Sequence, residues 1–114
     1  MTGSSFMNGV PELLILRLLE QQEMYGYELV QAIRARTGDA ISLGEGVVYP
    51  SLHALEREGA LKSRRKLVNG RTRVYYAVTA KGAKHLAGLV RHWSHITAAI
   101  TRAIGETRHA AATL

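Results

Sequence analysis

Apolar residues recur at helical spacing in four segments of the chain, which predicts four helices. The first helix is predicted over residues 11–22, where leucines cover most of the circumference, so it should lie at the centre of the core. Val10 precedes Pro11 and is expected to be extended, because a residue before proline disfavours helical angles. The second helix is predicted over residues 25–36, with Gly38 as its stop.

The segment GVVYPSLHALEREG predicts a third helix, which Gly59 can end. Its apolar face consists of Val48, Leu52 and Leu55. Pro50 lies inside this segment, and a proline within a helix removes one internal hydrogen bond. Either the helix opens at Pro50 or later, or its first turns are distorted but still helical. The pattern alone leaves both alternatives open.

Alternating residues on either side of Asn69-Gly70 predict a β-hairpin with a two-residue turn. This turn fixes the register, so that Lys66 should lie opposite Arg73. One face, called the cationic face below, then holds Lys62, Arg64, Lys66, Arg71 and Arg73. The other face, called the underside, collects Leu61, Ser63, Leu67, Thr72, Val74, Tyr76 and Val78, with Arg65 as its one cation.

The fourth helix is predicted to be long, running from the N-cap residue Thr79 to about Gly105. Apolar residues follow a heptad spacing along it for about three repeats, which is typical of a helix that packs against a partner chain. The predicted dimer interface consists of Leu86, Leu89, Trp93, Ile96 and Ile100.

Composition excludes several classes of protein. A chain of 114 residues without cysteine has the size of one domain and can form no disulfide, thiol nucleophile or thiolate metal site. No apolar run is long enough to span a membrane, no secretion signal is apparent, and the lack of cysteine fits a cytoplasmic protein. Asp39 is the only aspartate, and neither a phosphate-binding loop nor a Ser/His/Asp constellation is present. The sequence therefore predicts neither an enzyme nor a cofactor.

The histidines of the fourth helix also fit no metal site. His92 and His95 are three residues apart, and His85 lies one heptad before His92. Because no carboxylate on that helix has a matching spacing, these histidines are expected to face solvent, with no metal bound.

Positive charge is concentrated in the predicted hairpin. The chain has 15 Lys and Arg against 9 Asp and Glu, and residues 62–76 hold six cations and no anion, which equals the net charge of +6. The Lys66–Arg73 pair should destabilise the hairpin by a few tenths of a kcal/mol, and folding alone gives no reason for it. A solubilising strand edge explains one or two lysines, but not five aligned cations that include three arginines. This charge therefore indicates a polyanionic partner.

Three helices followed by a basic hairpin is the order of a winged helix-turn-helix. The predicted fold is mainly α with a small β-hairpin, and a long C-terminal dimerisation helix follows the winged domain. We expect a flexible N-terminus at 1–9, the DNA-binding domain at 10–78, the dimerisation helix at 79–105 and a tail at 106–114. In such folds the third helix enters the major groove, and the hairpin lies along the backbone or the neighbouring minor groove.

The chain resembles the PadR family of bacterial transcriptional regulators over about residues 10–105. The motifs that carry the resemblance are YGYEL, GVVYPSLHALEREGAL and YYAVTAKG. The resemblance implies that the third helix begins near Glu45 despite Pro50, that the last helix holds a homodimer, and that the protein is a repressor. The likeness is to members with a short C-terminal part, of the subfamily 2, multidrug-regulator type. Ala54 departs from the family pattern, in which many members have a basic residue there.

The candidate DNA contacts lie on the third helix, at the start of the second helix and on the cationic face. On the third helix, Ser51 and His53 could contact base edges or phosphates, and Arg57 is expected to contact a phosphate. The alternative is that these three residues are ordinary surface residues without a role in DNA binding. Tyr49 is either a core residue or a hydrogen-bond donor to phosphate. Tyr25 and Tyr27 could donate to phosphate or pack against the root of the hairpin.

The predicted function is a homodimeric repressor that binds a palindromic double-stranded operator in a sequence-specific manner. Trp93 is expected to pack in the dimer interface, and the resemblance adds the hypothesis that it stacks on a small planar aromatic ligand that relieves repression. The alternatives are a sequence-indifferent nucleic-acid packaging protein and a winged-helix module that binds another protein.

Overall fold

The computed structural model describes residues 9–105 of the chain. The predicted flexible segment at residues 1–9 lies outside the described residues except for Gly9, and the predicted tail at residues 106–114 lies entirely outside them. The helices are α1 (Val10–Gln21), α2 (Gly26–Arg36), α3 (Glu45–Arg57) and α4 (Ala80–Ile104). The strands are β1 (Met24–Tyr25), β2 (Leu61–Val68) and β3 (Arg71–Val78), which form one antiparallel sheet in the order β1-β3-β2. The predicted winged-helix fold, mainly α with a hairpin and a long last helix, is confirmed.

The core forms where α1, α2 and α3 meet. Ile15 and Leu16 of α1 are fully buried, as are Ile33 of α2 and Leu52 of α3. The root of the sheet and the start of α4 close this core with Leu61, Tyr76 and Leu86. The predicted central position of α1 follows from apolar side chains around most of its circumference.

The start of α1 differs from the prediction for Val10. Val10 is the first helical residue rather than an extended one, and Gly9 serves as the N-cap with a φ of 87°. The Val10 side chain is buried, and this burial outweighs the local preference against helical angles before a proline.

Pro50 lies inside α3, which begins at Glu45. The family resemblance therefore predicted the start of this helix correctly, where the local pattern left two alternatives. The proline costs the hydrogen bond to the carbonyl of Gly46. Because Pro50 and Gly46 are both exposed, water can bind that carbonyl.

The hairpin has the predicted register over its whole length. The pairs run from Val68 with Arg71 to Leu61 with Val78, and they include Lys66 with Arg73. Asn69 and Gly70 both have positive φ, as a two-residue hairpin turn requires. The sheet has a third strand that the sequence did not predict, since β1 pairs with Tyr75 and Tyr76 of β3.

The beginning of α4 is fixed by a close approach to the loop before β2. The Gly82 N–H donates to the side chain of Thr79, which confirms Thr79 as the N-cap. A Cβ atom on Gly82 would overlap the carbonyl oxygen of Ala60. Only glycine therefore fits here without a backbone shift, which gives the AKG motif a structural reason.

We predict that Gly82→Ala destabilises the fold by about 2–3 kcal/mol, because the added methyl group must displace backbone atoms. Gly88→Ala in the same helix is the matched control, since its Cβ would meet nothing closer than the end of Arg91 at 3.8 Å. The control should be neutral or stabilising by up to about 1 kcal/mol through helix propensity. Urea unfolding of both variants measures the difference, and equal stabilities would contradict the packing argument.

The last helix extends beyond the body of the protein. The described part of the chain measures 58 × 27 × 27 Å, and 25 helical residues account for a rod of roughly 37 Å. Towards its C-terminal end the apolar residues lose their cover, with Ile100 39% and Ile104 69% exposed. Within residues 9–105, none of the helices combines the length and apolarity needed to cross a bilayer.

Candidate nucleic-acid interface

The orientation of α3 is set by its buried residues. Val48, Leu52 and Leu55 are fully buried, as predicted, which turns the opposite side of the helix outward. His53 and Arg57 are exposed there, whereas Ser51 is half-buried. The outward side of α3 therefore offers a cation and an imidazole, but few groups for bidentate base contacts.

Tyr49 packs between α2 and α3. A Cβ atom on Gly26 would overlap the Tyr49 ring, so the ring lies directly on the backbone at the start of α2. The side chain is half-buried against the core. Of the two roles that the sequence left open for Tyr49, the structure shows core packing.

The two tyrosines at the start of α2 have different surroundings. Tyr25 is the N-cap of α2, and its backbone N–H donates to Glu28 Oε1 at 3.2 Å. Its ring packs edge-on against the ring of Tyr75, with centroids 5.4 Å apart. Tyr25 thus packs against the hairpin root, one of its two predicted roles, whereas Tyr27 is exposed and accessible to a phosphate.

Aromatic rings lie under two of the charges on the cationic face. Lys66 Nζ is 4.2 Å from the centre of the Tyr75 ring, and the Arg73 guanidinium is 4.5 Å from that of Tyr25. Cation–π contacts of this kind are worth about 0.5–1 kcal/mol at exposed sites. Burial raises the pKa of the Tyr75 hydroxyl, so this ring stays neutral. These contacts offset part of the repulsion that the sequence predicts between Lys66 and Arg73, because each cation has its own ring.

A carboxylate also reaches the cationic face, although residues 62–76 contain none. Glu23 Oε1 lies 2.6 Å from Arg64 Nη2 and 3.7 Å from Lys66 Nζ. The hydrogen bond from Arg64 holds the pKa of the Glu23 carboxyl below its ordinary value, so the group is ionised at neutral pH. Glu23 immediately precedes β1, and the pairing of β1 with β3 brings it here.

Lys62, Arg64 and Arg71 are exposed on the cationic face, and Lys66 and Arg73 are half-buried. The five predicted cations are thus gathered on one face, as the alternation of the hairpin implied. At the root of the other face, Ser63 Oγ donates to Glu56 Oε2 at 2.6 Å, which ties the underside to the end of α3.

The underside is buried only at the root of the hairpin. Leu61 and Tyr76 belong to the core, but Leu67 is 74% exposed and Val74 is exposed as well. The outer half of the hairpin therefore extends beyond the helices, and it presents side chains to solvent on both faces.

The predicted interface on α4 divides into two parts. Leu86 is only 2% exposed and belongs to the core of its own chain, so it has no surface left for a partner, contrary to the prediction. Leu89 packs against the same core. Trp93, Ile96 and Ile100 lie farther along, where they are half-buried or exposed. We call these three residues the open seam.

Trp93 lies next to the start of α1. Together with Gly9, Val10, Leu13, Leu89 and His92 it lines a gap of about 10 Å³. This volume holds about one water molecule. Within residues 9–105, this gap at Trp93 is too small for a planar ligand, so stacking on this residue requires a second chain.

The histidines of α4 are exposed, as predicted. His85 Nε2 lies 3.4 Å from Glu12 Oε1, a carboxylate supplied by α1 rather than by α4 itself. Among the residues described here, no three His, Asp or Glu side chains are grouped in a way that could hold a metal ion.

Comparison with known proteins gives concordant matches. The model of the transcriptional regulator PadR-like family matches residues 15–88. The transcriptional regulator Rv3488 of Mycobacterium tuberculosis is 36% identical over 77 residues, which cover 68% of this chain and 69% of that protein. A transcriptional regulator from Clostridium thermocellum is similar in structure, with a TM-score of 0.77 and 28% identity over 84% of this chain and 94% of that one. A PadR family transcription regulator from Clostridium difficile has a TM-score of 0.71 and 29% identity over 85% and 100% of the two chains.

Proposed function

Because this chain belongs to the PadR-like family of transcriptional regulators, we propose that it is a homodimeric repressor that binds a palindromic DNA operator. The family consists of regulators rather than enzymes, so the prediction of a non-enzymatic, DNA-binding protein is confirmed. We assign the chain to the short, multidrug-regulator-like type and to the cytoplasm. The roles of individual residues in DNA binding belong to the same proposal.

The observation that carries the proposal is the position of five cations on one face of a hairpin that follows directly from α3. The exposed side of α3 supplies Ser51, His53 and Arg57 to a major groove, and the hairpin supplies Lys62, Arg64, Lys66, Arg71 and Arg73 to phosphates. Arginine suits this role, because its planar guanidinium binds phosphate through two parallel hydrogen bonds. Tyr27 adds an exposed hydroxyl at the start of α2.

The open seam supports a dimer. From Trp93, which lies beside α1, the apolar face of α4 continues outward through Ile96 to Ile100, and a second copy of the helix can cover these residues. A palindromic operator requires two DNA-reading helices on successive major grooves, and in a dimer with a two-fold axis each chain would supply one of them, its α3.

Competition binding on DNA tests this function. We expect the protein to bind the DNA upstream of its own gene at least about 10³-fold more tightly than random duplex at physiological salt. Nearly equal affinities would instead favour a packaging protein, and no binding to either DNA would favour a protein-interaction module.

Ligand sensing is the last part of the proposal. In a dimer, Trp93 and its symmetry mate would enclose a planar aromatic compound, and stacking adds about 0.5–1.5 kcal/mol beyond the burial of area. We predict that planar aromatic cations or phenolic acids quench the fluorescence of Trp93, the only tryptophan, and release the operator. If the compounds bind the Trp93→Ala variant equally well, Trp93 only packs in the dimer interface and binds no ligand.

A further inference from the structure

Glu23 holds Arg64 in the way a phosphate group would. The guanidinium donates from Nη2 to Oε1 at 2.6 Å and from Nε to Oε2 at 3.4 Å, and Nε also lies 3.2 Å from Oε1. A phosphate offers the same pattern of acceptor oxygens to an arginine. The same carboxylate lies 3.7 Å from Lys66 Nζ, so one anion engages two of the five cations that the proposed function assigns to DNA.

The fold has little need of this contact. The Glu23 side chain is 31% exposed and the Arg64 side chain 60% exposed, and ion pairs at such positions contribute little to stability. Lys66 and Arg73 keep their places on the rings of Tyr75 and Tyr25, and β1 pairs with β3 through its backbone. A glutamate that only anchored the hairpin would therefore duplicate existing anchors.

A carboxylate on a phosphate-binding surface opposes the binding of DNA in two ways. It must release Arg64 and Lys66 before these cations can bind phosphate, and its own charge repels any phosphate that comes near. Among the ion pairs of residues 9–105, those of Glu23 are the only ones that involve the cationic face. Among these residues, the ion pairs that oppose phosphate binding by the cationic face therefore all involve Glu23.

We infer that Glu23 is an internal competitor of DNA phosphate that lowers the affinity of the hairpin for the DNA backbone and reduces its dependence on salt. This inference rests on the proposed function. Because Arg64 and Lys66 would contact phosphates rather than bases, the effect is the same for every DNA sequence. Glu23 thus sets how strongly the protein binds DNA in general and leaves the choice of operator to α3.

Substitution of Glu23 by glutamine tests the inference, because it keeps the shape of the side chain and removes its charge. We expect Glu23→Gln to bind random duplex on the order of 10-fold more tightly at low salt. The slope of log affinity against log salt should steepen by about 1–2 for each hairpin, as one or two further phosphates are neutralised. Operator affinity should rise by the same factor.

The matched control is Glu20→Gln, which changes the net charge equally. Glu20 pairs with Arg17 at 2.7 Å on the surface of α1, and this pair is not part of the cationic face. Glu20→Gln should leave both the affinity and the salt slope near the wild-type values. If Glu20→Gln gains as much affinity as Glu23→Gln, net charge is the cause and the inference fails. If neither variant gains affinity, the inference fails as well.

A second comparison shows whether Glu23 acts through Arg64. In an Arg64→Gln background, Glu23→Gln should gain clearly less affinity than in the wild type, because only Lys66 remains to be released. An undiminished gain in that background overturns the inference, and so does weaker binding by Glu23→Gln alone, which would show that Glu23 orients Arg64 for DNA. Urea unfolding of each variant confirms that the fold is retained.

The same measurements separate this inference from the proposed function. A wild-type protein that binds operator and random DNA equally well would contradict the function as a specific regulator. The comparison of Glu23→Gln with Glu20→Gln on random duplex would still decide the role of Glu23.

Discussion

Replacing both Arg71 and Arg73 with glutamate is expected to abolish specific DNA binding. Both residues lie on the cationic face of the hairpin, and the double change removes two phosphate contacts and adds two anions. Hydrogen bonds to charged groups are worth about 1.5–3 kcal/mol each, so the affinity should fall by at least about 100-fold. Filter binding or fluorescence anisotropy at a fixed salt concentration measures the loss.

The stability of this double variant should stay within about 1 kcal/mol of the wild type. Arg73→Glu loses the contact with the Tyr25 ring, but it places an anion opposite Lys66. The two effects have opposite signs, so they largely cancel. Unchanged DNA binding by the variant would exclude the hairpin from the interface.

A pair of single variants tests whether the face of the hairpin matters or only its charge. Arg71→Glu and Arg65→Glu change the net charge equally, but Arg65 lies on the underside. We expect Arg71→Glu to weaken binding more than Arg65→Glu does. Equal losses would show that the charge of the whole hairpin, rather than its cationic face, governs affinity.

Two aspartates on the open seam are expected to convert the protein to monomers and to reduce operator affinity by at least about 100-fold. Ile96→Asp with Ile100→Asp places charge where a second α4 would pack, and a monomer loses the benefit of two linked half-sites. Leu89 is a poorer target, because it packs against the core of its own chain and its substitution would also unfold the monomer.

Ser94→Asp with Ala98→Asp is the control for this experiment. Both positions are exposed on the opposite side of α4 and have the same four-residue spacing. Sedimentation should show dimers for the control and monomers for the seam variant. A seam variant that sediments as a dimer would place the interface elsewhere on the chain.

Much of the fold follows from local patterns in the sequence. The Asn69-Gly70 turn fixed the hairpin register because a two-residue turn allows one alignment of the strands, and the outward face of α3 followed from helical periodicity. Pro50 is different, because local chemistry permits two starts for α3 and solvent access to the freed carbonyl allows the earlier one. The family resemblance supplied what the local pattern lacked.

The features that the sequence did not predict all depend on contacts between distant segments. A strand of two residues has no periodicity, so the sequence pattern does not predict β1. The contact of Glu23 with Arg64, 41 positions along the chain, depends on β1 and could not be predicted either. A heptad likewise cannot distinguish packing within a chain from packing between chains. Leu86 has the spacing of an interface residue, but the helices of its own chain bury it.

The limited length of β1 has a consequence for the mechanics of the hairpin. β1 supports β3 only at Tyr75 and Tyr76, so the outer segment from Arg65 to Val74 is a two-stranded ribbon. Such a ribbon is only marginally stable by itself and bends at little cost. In the proposed complex the rigid helix α3 would fix the position of the protein along the DNA. The flexible outer part of the hairpin would adjust to the local width of the groove.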